Sequence, residues 1–361
     1  MSFDKNKPYN NLPLLPPQIE VETKAVLKKA ILAREALGRL TAANRRLPNE
    51  SLLVNAVLLQ EAKSSSEIEN IITTNDKLFQ AAVSETKVTD PATKEVLRYP
   101  RALWRGLELV QARGFVNTPT LIEIVNIVKG NTAGLRKVPG TAVVNGQTNE
   151  IIYIPPEGES IIAEKLKNLE VFLNTTNDGI DLLIKMAIAH YQFEAIHPFH
   201  DGNGRTGRIM NILFLVQHGL LRQPILYLSK YIIEHKNDYY NALRDVTERG
   251  AWEAWILYIL EAVEKTAIHT EAKIEAICAL MASATEQIKR DLPAIYSHEL
   301  VNELFRLPYC KRDFLVTAGL VKEKTAGRYL MNLEKIGILG ATKVGREKLY
   351  INKKFYELLK S

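Results

Sequence analysis

The stretch His197-Pro198-Phe199-His200-Asp201-Gly202-Asn203-Gly204-Arg205-Thr206-Gly207-Arg208 restricts the fold more than any other part of the chain, being polar and glycine-rich between two apolar flanks. Before it, Ile180, Leu183, Ile184, Ala187 and Tyr191 recur at steps of about three and four residues, and after it Ile209, Ile212, Leu213 and Val216 do the same. A loop joining two buried helices follows, with the second helix expected from Thr206 onward. Glycine lets a backbone approach an anion with successive N–H groups turned toward it, and arginine grips phosphate oxygens through paired, charge-assisted hydrogen bonds. The N-terminus of the second helix adds a dipole that favours negative charge. The residue types therefore point to phosphate handling, with His197 placed to take a proton from an attacking hydroxyl and Asp201 to carry the magnesium that a nucleotide brings. A plain surface turn needs neither the preceding histidine nor the two arginines. His190 and His200 find no cysteine or second carboxylate at ligand spacing, which argues for one magnesium ion on Asp201 and phosphate oxygens rather than a transition-metal cluster.

HPFHDGNGRTGR matches every fixed position of His-x-Phe-x-Asp/Glu-Gly-Asn-Gly-Arg-x-x-Arg and resembles the signature of the Fic (Fido-fold) nucleotidyltransferases. The resemblance implies a mainly α fold, a helical core with a small β-hairpin flap. It also implies transfer of AMP from ATP to a Ser, Thr or Tyr hydroxyl of a target protein, with pyrophosphate leaving. His197 is then the general base, Phe199 its buried anchor and Asp201 the magnesium ligand. Gly202, Asn203 and Gly204 form an anion hole, Arg205 and Arg208 bind the phosphate tail, and Thr206 and Gly207 lie within the same ATP-binding stretch. Similar Fic proteins also transfer phosphate, phosphocholine or UMP, and the motif does not separate these reactions.

Upstream, Ser65-Ser66-Glu67-Ile68-Glu69-Asn70 reads as a short helix in which Ser65 and Glu69 share a face and Asn70 takes the left-handed conformation that ends it. It resembles the inhibitory motif Ser/Thr-x-x-x-Glu-Gly/Asn of Fic proteins that carry their inhibitory helix before the core. That resemblance implies that Ser65, Glu69 and Asn70 form the inhibitory element, with Glu69 paired to Arg208 so that ATP binds in an unproductive pose. In some relatives the same glutamate positions water that removes AMP. Residues 141–156 place two β-branched runs around Asn145-Gly146, a hairpin signal, and resemble the family's target-binding flap. Tyr239, from a tandem tyrosine pair, is the position that the resemblance carries into the adenine and ribose pocket, with Thr247 a weaker candidate.

Residues 1–112 are read as an N-terminal helical region with the inhibitory helix at about 65–70, 113–265 as the Fido catalytic core, 266–296 as a connecting helix and 297–361 as a winged-helix-like domain. The first seventeen residues, with Pro8, Pro13, Pro16 and Pro17, read as an extended arm without the order of a signal peptide. No apolar run is long enough for a bilayer, which gives no expectation of a membrane. Cys278 and Cys310 are the only cysteines and lack metal-type spacing, so a reduced, cytoplasmic home is expected. In the tail, helices at 297–305, 311–318 and 324–336 precede strands at 338–343 and 348–351, the order of a winged helix.

From Lys311 to Lys354 there are eleven Lys and Arg against four Asp and Glu, a net of +7 where the whole chain carries +6. Lys324, Arg328 and Lys335 on a recognition helix, with Lys343, Arg346 and Lys348 on the wing, suit DNA phosphates, and protein docking or a homodimer contact is the equal alternative. Two functions remain open at this point. One is a self-inhibited protein adenylyltransferase, and the other is a DNA-binding regulator whose core senses nucleotide. The intact His197 favours the first. De-AMPylation or another phosphate-group transfer is a variant of it.

Overall fold

A computed structural model describes residues 3–47, 50, 52–84, 90–132, 134–144, 150–344 and 347–360. The protein is mainly helical, and the expected loop sits at its centre. Helix α8 (Leu182–Ile196) and helix α9 (Asn203–Gln217) are buried on nearly every side. This is why their apolar residues surround the axis instead of forming one stripe. Around them pack α1 (Lys24–Asn44), α2 (Val54–Ile68), α3 (Asn75–Val83), α4 (Pro91–Val96), α5 (Arg98–Arg113), α6 (Thr118–Lys129) and α7 (Glu159–Asn174). The ends of α6 show how sequence sets length: the Asn117 side chain accepts from the Thr120 amide at 2.9 Å, and Gly130, at φ 67°, ends the helix in the left-handed region. Helix α5 lies close to α9 because Gly106 has no side chain; a Cβ there would stand 2.8 Å from Leu213 Cδ1.

Beyond α9 come α10 (Leu228–Glu234), α11 (Lys236–Arg249) and α12 (Trp252–Asp291). Helix α12 has 40 residues and so runs about 60 Å at 1.5 Å per residue. It packs along α1 with Lys29 paired to Glu264, and the boundary expected at 265/266 falls inside it. No separate connecting helix exists there, because the apolar positions from Trp255 to Ile288 stay in helical register without a break.

The flap consists of β1 (Val143–Val144) and β2 (Ile151–Tyr153), paired antiparallel, and the expected Asn145-Gly146 turn lies outside the described residues. The N-terminal arm packs beside it: the Tyr9 amide donates to the Ile154 carbonyl at 3.0 Å, and the Phe3 ring lies 5.9 Å from that of Tyr153.

The tail folds as α13 (His298–Arg306), β3 (Tyr309–Cys310), α14 (Arg312–Thr317), α15 (Glu323–Lys335), β4 (Gly340–Val344), β5 (Glu347–Ile351) and α16 (Lys353–Lys360). Its antiparallel sheet has the order β3-β5-β4. The sequence reading omits β3, whose two residues are too short for an alternating pattern, and α16, whose Phe355 and Leu359 are buried one turn apart. This unit is seated on the helical body. The Tyr309 hydroxyl donates to Asp76 at 2.7 Å, Lys273 donates to the Leu359 carbonyl at 3.0 Å, and the Phe79 and Tyr356 rings meet edge-on.

Candidate active site

Helix α8 ends at His197, which adopts the left-handed conformation (φ 48°, ψ 57°) while its amide still bonds the Phe193 carbonyl at 3.0 Å. The chain then doubles back. Phe199 is buried against Phe193, worth about 1.5–3 kcal/mol of apolar burial, and anchors the turn. Asn203 closes it, accepting from the Phe199 amide at 2.9 Å and donating to the Phe199 carbonyl at 2.7 Å. Gly202, at φ 86°, supplies the cap from which α9 starts. The helix thus begins at Asn203, three residues before the expected Thr206, because the Asn203 side chain stabilises its first turn and offsets the poor helix propensity of Gly204.

These turns place His197, Gly204 and Arg208 on the wall of one cavity of about 970 Å³, together with Glu69, Glu194 and Tyr239. Asn70, Tyr240 and Thr247 also line it. Burial, then the neighbouring Arg136 charge, push the His197 imidazole down to about 4, so it is neutral at pH 7. Tyr239 is buried and bonds His190 Nε2 through its hydroxyl at 2.9 Å, while the His190 ring stacks on Trp255. His190 is thereby accounted for in the core, and His200 is exposed.

Thr206 and Gly207 do not reach the cavity. Both face the packed side of α9, and a Cβ on Gly207 would stand 2.4 Å from Glu194 Oε1. Their expected part in nucleotide contact is therefore corrected: a helix buried all round gives its periodicity no way of marking the face that meets the open space. Asp201, Gly202, Asn203 and Arg205 likewise lie beside the cavity and not on its wall. The Asn203 side chain is spent on Phe199, leaving its backbone N–H for an anion.

The two arginines are both held by carboxylates. Arg205 donates to Glu95 at 2.7 Å, and Glu95 also meets Lys129 at 2.8 Å. Asp201 lies 2.6 Å from Lys129 and is largely exposed; burial opposes its ionisation, but Lys129 and Arg205 hold its carboxyl below the usual range. Arg208 donates to the Ser65 hydroxyl, the Ser65 carbonyl and Glu69 Oε1, each at 2.8 Å. Burial disfavours the Arg208 charge, but Glu69, Tyr239 and Glu194 together outweigh it and raise the guanidinium further.

Ser65 to Asn70 is no separate short helix. It is the end of α2, with Glu69 as C-cap and Asn70 at φ 61°; the helix that starts at Val54, buried along most of its length, runs on through Ser65 to Ile68. Lys236 on α11 caps that end by donating to the Ile68 carbonyl at 2.6 Å. Below it, buried Glu61 accepts from the Ser229 amide at 2.9 Å and from the Tyr99 hydroxyl at 3.1 Å.

Sequence reasoning missed Glu61, Glu95, Lys129, Arg136, Glu194 and Lys236. Glu194 alone gave a signal, as a carboxylate inside the apolar run of α8. Burial pushes it up to about 8, with Arg208 pulling down and Glu69 pushing up, and its Oε1 has no hydrogen-bond partner among the described residues. Those residues also hold no cluster of three or more His, Cys, Asp or Glu of the kind that binds a metal, and no helix long and apolar enough to cross a membrane.

Comparison with known proteins places the chain among relatives of the same construction. Residues 27–108 match the Fic/DOC family N-terminal region, residues 115–215 the Fic/DOC family, and residues 280–355 the C-terminal domain of SoFic-like protein adenylyltransferase. It is 31% identical over 134 residues to protein adenylyltransferase fic-1 of Caenorhabditis elegans, covering 37% of this chain and 24% of that one. To protein adenylyltransferase Fic of Aedes aegypti it is 28% identical over 159 residues, covering 44% and 30%. The matches thus span about a quarter to a third of these relatives. Among solved structures, a Fic family protein from Desulfovibrio desulfuricans G20 superposes with a TM-score of 0.59 at 20% identity, over 94% of this chain and 98% of the other. A fragment of C. elegans Fic-1 does so at 0.52 and 22% identity, over 72% and 75%. Three family matches in succession along one chain, with the fold shared over nearly its whole length, make this protein a member of the Fic family.

Proposed function

We propose that this protein is a self-inhibited protein adenylyltransferase. An acceptor hydroxyl on a target protein, or on the protein itself, attacks the α-phosphorus of ATP. The new P–O bond forms as the bond to the β-phosphate oxygen breaks, pyrophosphate leaves, and the hydroxyl proton passes to His197. The observation that carries the reading is the meeting of a neutral His197, the side-chain-free Gly204 and the Arg208 guanidinium on one cavity wall large enough for a nucleotide. The similarity to proteins named adenylyltransferase favours AMP over other groups. Backbone N–H groups at the start of α9 and the Arg208 guanidinium meet the charge that builds on the phosphate oxygens, and Tyr239 supplies a wall for the base. Asp201 suits magnesium, since its carboxylate is ionised, exposed and a hard oxygen ligand. The ion would neutralise polyphosphate charge.

Inhibition follows from Glu69, whose bond to Arg208 keeps that guanidinium from a γ-phosphate. Removal of AMP by the same glutamate is a variant of this reading. Two free cysteines, Cys278 half-buried and Cys310 buried, accord with a reducing cytoplasm.

His197→Ala in the intact chain tests the chemistry. Transfer of labelled AMP should fall by about a hundred to ten-thousandfold, the usual worth of a positioned base, while ATP affinity by calorimetry stays near the parent value. Transfer within tenfold of the parent would sink the mechanism.

For the tail we propose a DNA partner. Lys324, Arg328, Lys335, Lys343 and Lys348 are exposed on one small unit, while Arg346 lies outside the described residues. Duplex binding should weaken steeply with salt as counterions are released. Salt-insensitive or absent binding favours a protein or a second copy of the chain on that face.

A further inference from the structure

Arg136, in the segment between α6 and β1, is a guanidinium 1% exposed with no carboxylate at ion-pair distance among the described residues. All its partners among the described residues are backbone carbonyls. Its Nε donates to His197 O at 2.6 Å, and one terminal nitrogen donates to Pro156 O at 2.6 Å and Ile196 O at 3.2 Å. Its own amide donates to Pro198 O at 3.0 Å.

The last carbonyls of a helix have no partner inside it. Here the carbonyls of Ile196 and of the cap His197 are satisfied by a side chain that also holds Pro156, where the flap rejoins the body. The left-handed His197, a conformation that costs a non-glycine residue about 1–2 kcal/mol, is fixed from the same side. A second tie runs from the flap to α8, where the Tyr153 hydroxyl donates to the Ala195 carbonyl at 2.8 Å.

We propose that Arg136 is a positioning residue that fastens the flap to the end of α8, so that the edge offered to an acceptor and the imidazole of His197 keep one fixed relation. The role rests on the hydroxyl-transfer reading above. A lysine cannot span the carbonyls of His197, Ile196 and Pro156 together, and a glutamine spans fewer of them without charge.

The charge has a separate consequence. The groups that face His197 are Arg136 from the preceding loop, Glu69 from the end of α2, Asp201 from the loop itself, and the Glu194 backbone from α8. Burial and Arg136 disfavour its protonation, and the other three favour it. Losing the Arg136 charge moves the imidazole upward, and the acid limb of transfer moves with it. Losing only its fork leaves the limb in place and loosens the flap.

The experiment compares Arg136→Lys, Arg136→Gln and Tyr153→Phe in the full chain. Flap motion is read by amide exchange at residues 150–154, and His197 by a histidine NMR titration assigned with His197→Ala. Arg136→Lys should speed flap exchange at least about tenfold and raise KM for the acceptor more than it lowers kcat, with the titration unmoved. Arg136→Gln should do the same and raise the His197 midpoint by about one unit. Tyr153→Phe removes the lesser tie without emptying a buried charge and should speed exchange by less than Arg136→Lys does. Parent-like exchange and titration in folded Arg136 variants would overturn the proposal, as would a flap freed equally by Tyr153→Phe. If the parent transfers no AMP at all, the hydroxyl-transfer reading fails by itself, and exchange and titration still decide the role of Arg136.

Discussion

Arg205 and Arg208 stand one helical turn apart on α9, are equally buried at 1% exposure, and each meets a carboxylate from the N-terminal helices, yet the two pairs are built differently. Glu95 is shared between Arg205 and Lys129; burial opposes its charge, and those two cations together hold its carboxyl below the usual range. It lies behind the loop and helps to hold Asp201 through Lys129. Glu69 has Arg208 as its one cationic partner among the described residues and stands on the cavity wall. A carboxylate gripped by two cations away from the open space is part of the frame. One gripped by a single guanidinium, beside space sized for a nucleotide, has somewhere to go and one bond to lose.

The largest effect should come from breaking the lighter pair. Glu69→Gly frees Arg208, and AMP transfer should rise by about five to a hundred and fiftyfold, the range of an ordinary allosteric coupling of 1–3 kcal/mol. Arg208→Ala should not mimic it, because it removes lock and ligand together, and the double variant should behave as Arg208→Ala alone. Labelled-ATP assays at saturating nucleotide and magnesium decide this. Equal activity of the parent and Glu69→Gly would make the end of α2 an ordinary helix end.

The heavier pair sharpens the contrast with a smaller change of opposite kind. Glu95→Gln leaves buried Arg205 and partly buried Lys129 short of charge. It should cost about 1–2 kcal/mol once discounted for the partial exposure of Glu95, lowering Tm by a few degrees. Transfer should not rise by more than about twofold. Activation comparable to Glu69→Gly, measured beside a thermal melt, would erase the distinction between the two pairs.

The parts legible in the sequence were those whose partners are neighbours in it. His197, Phe199, Asp201 and Arg208 announce themselves because a single loop carries them all. The Glu69–Arg208 pair joins residues 139 apart, and only the resemblance of Ser65 to Asn70 to an inhibitory motif brought it forward. Glu95, Lys129 and Arg136 left no trace, since each owes its place to packing between segments and belongs to no period or motif. The start of α9 is hidden because Gly-Asn-Gly reads locally as a turn, and the Asn203 bonds to Phe199 that stabilise it are invisible to propensity. Short β3 lacks the length for an alternating pattern, and terminal α16 offers only Phe355 and Leu359 as buried apolar residues, one turn apart.

Gly204 carries a consequence for how such a protein is able to change over generations. A Cβ built there would stand 2.1 Å from Glu69 Oε1 and 2.9 Å from an Arg208 nitrogen. Any side chain at 204 would evict the glutamate, and it would also fill the hollow in which the proposed triphosphate lies. In the proposed reaction, inhibitor and substrate thus depend on the same missing atom, and a lineage cannot shed its restraint by drifting at this glycine without shedding its chemistry too. In the proposed scheme, a change that releases Arg208 and spares the reaction falls at Glu69 or at the residues that hold it.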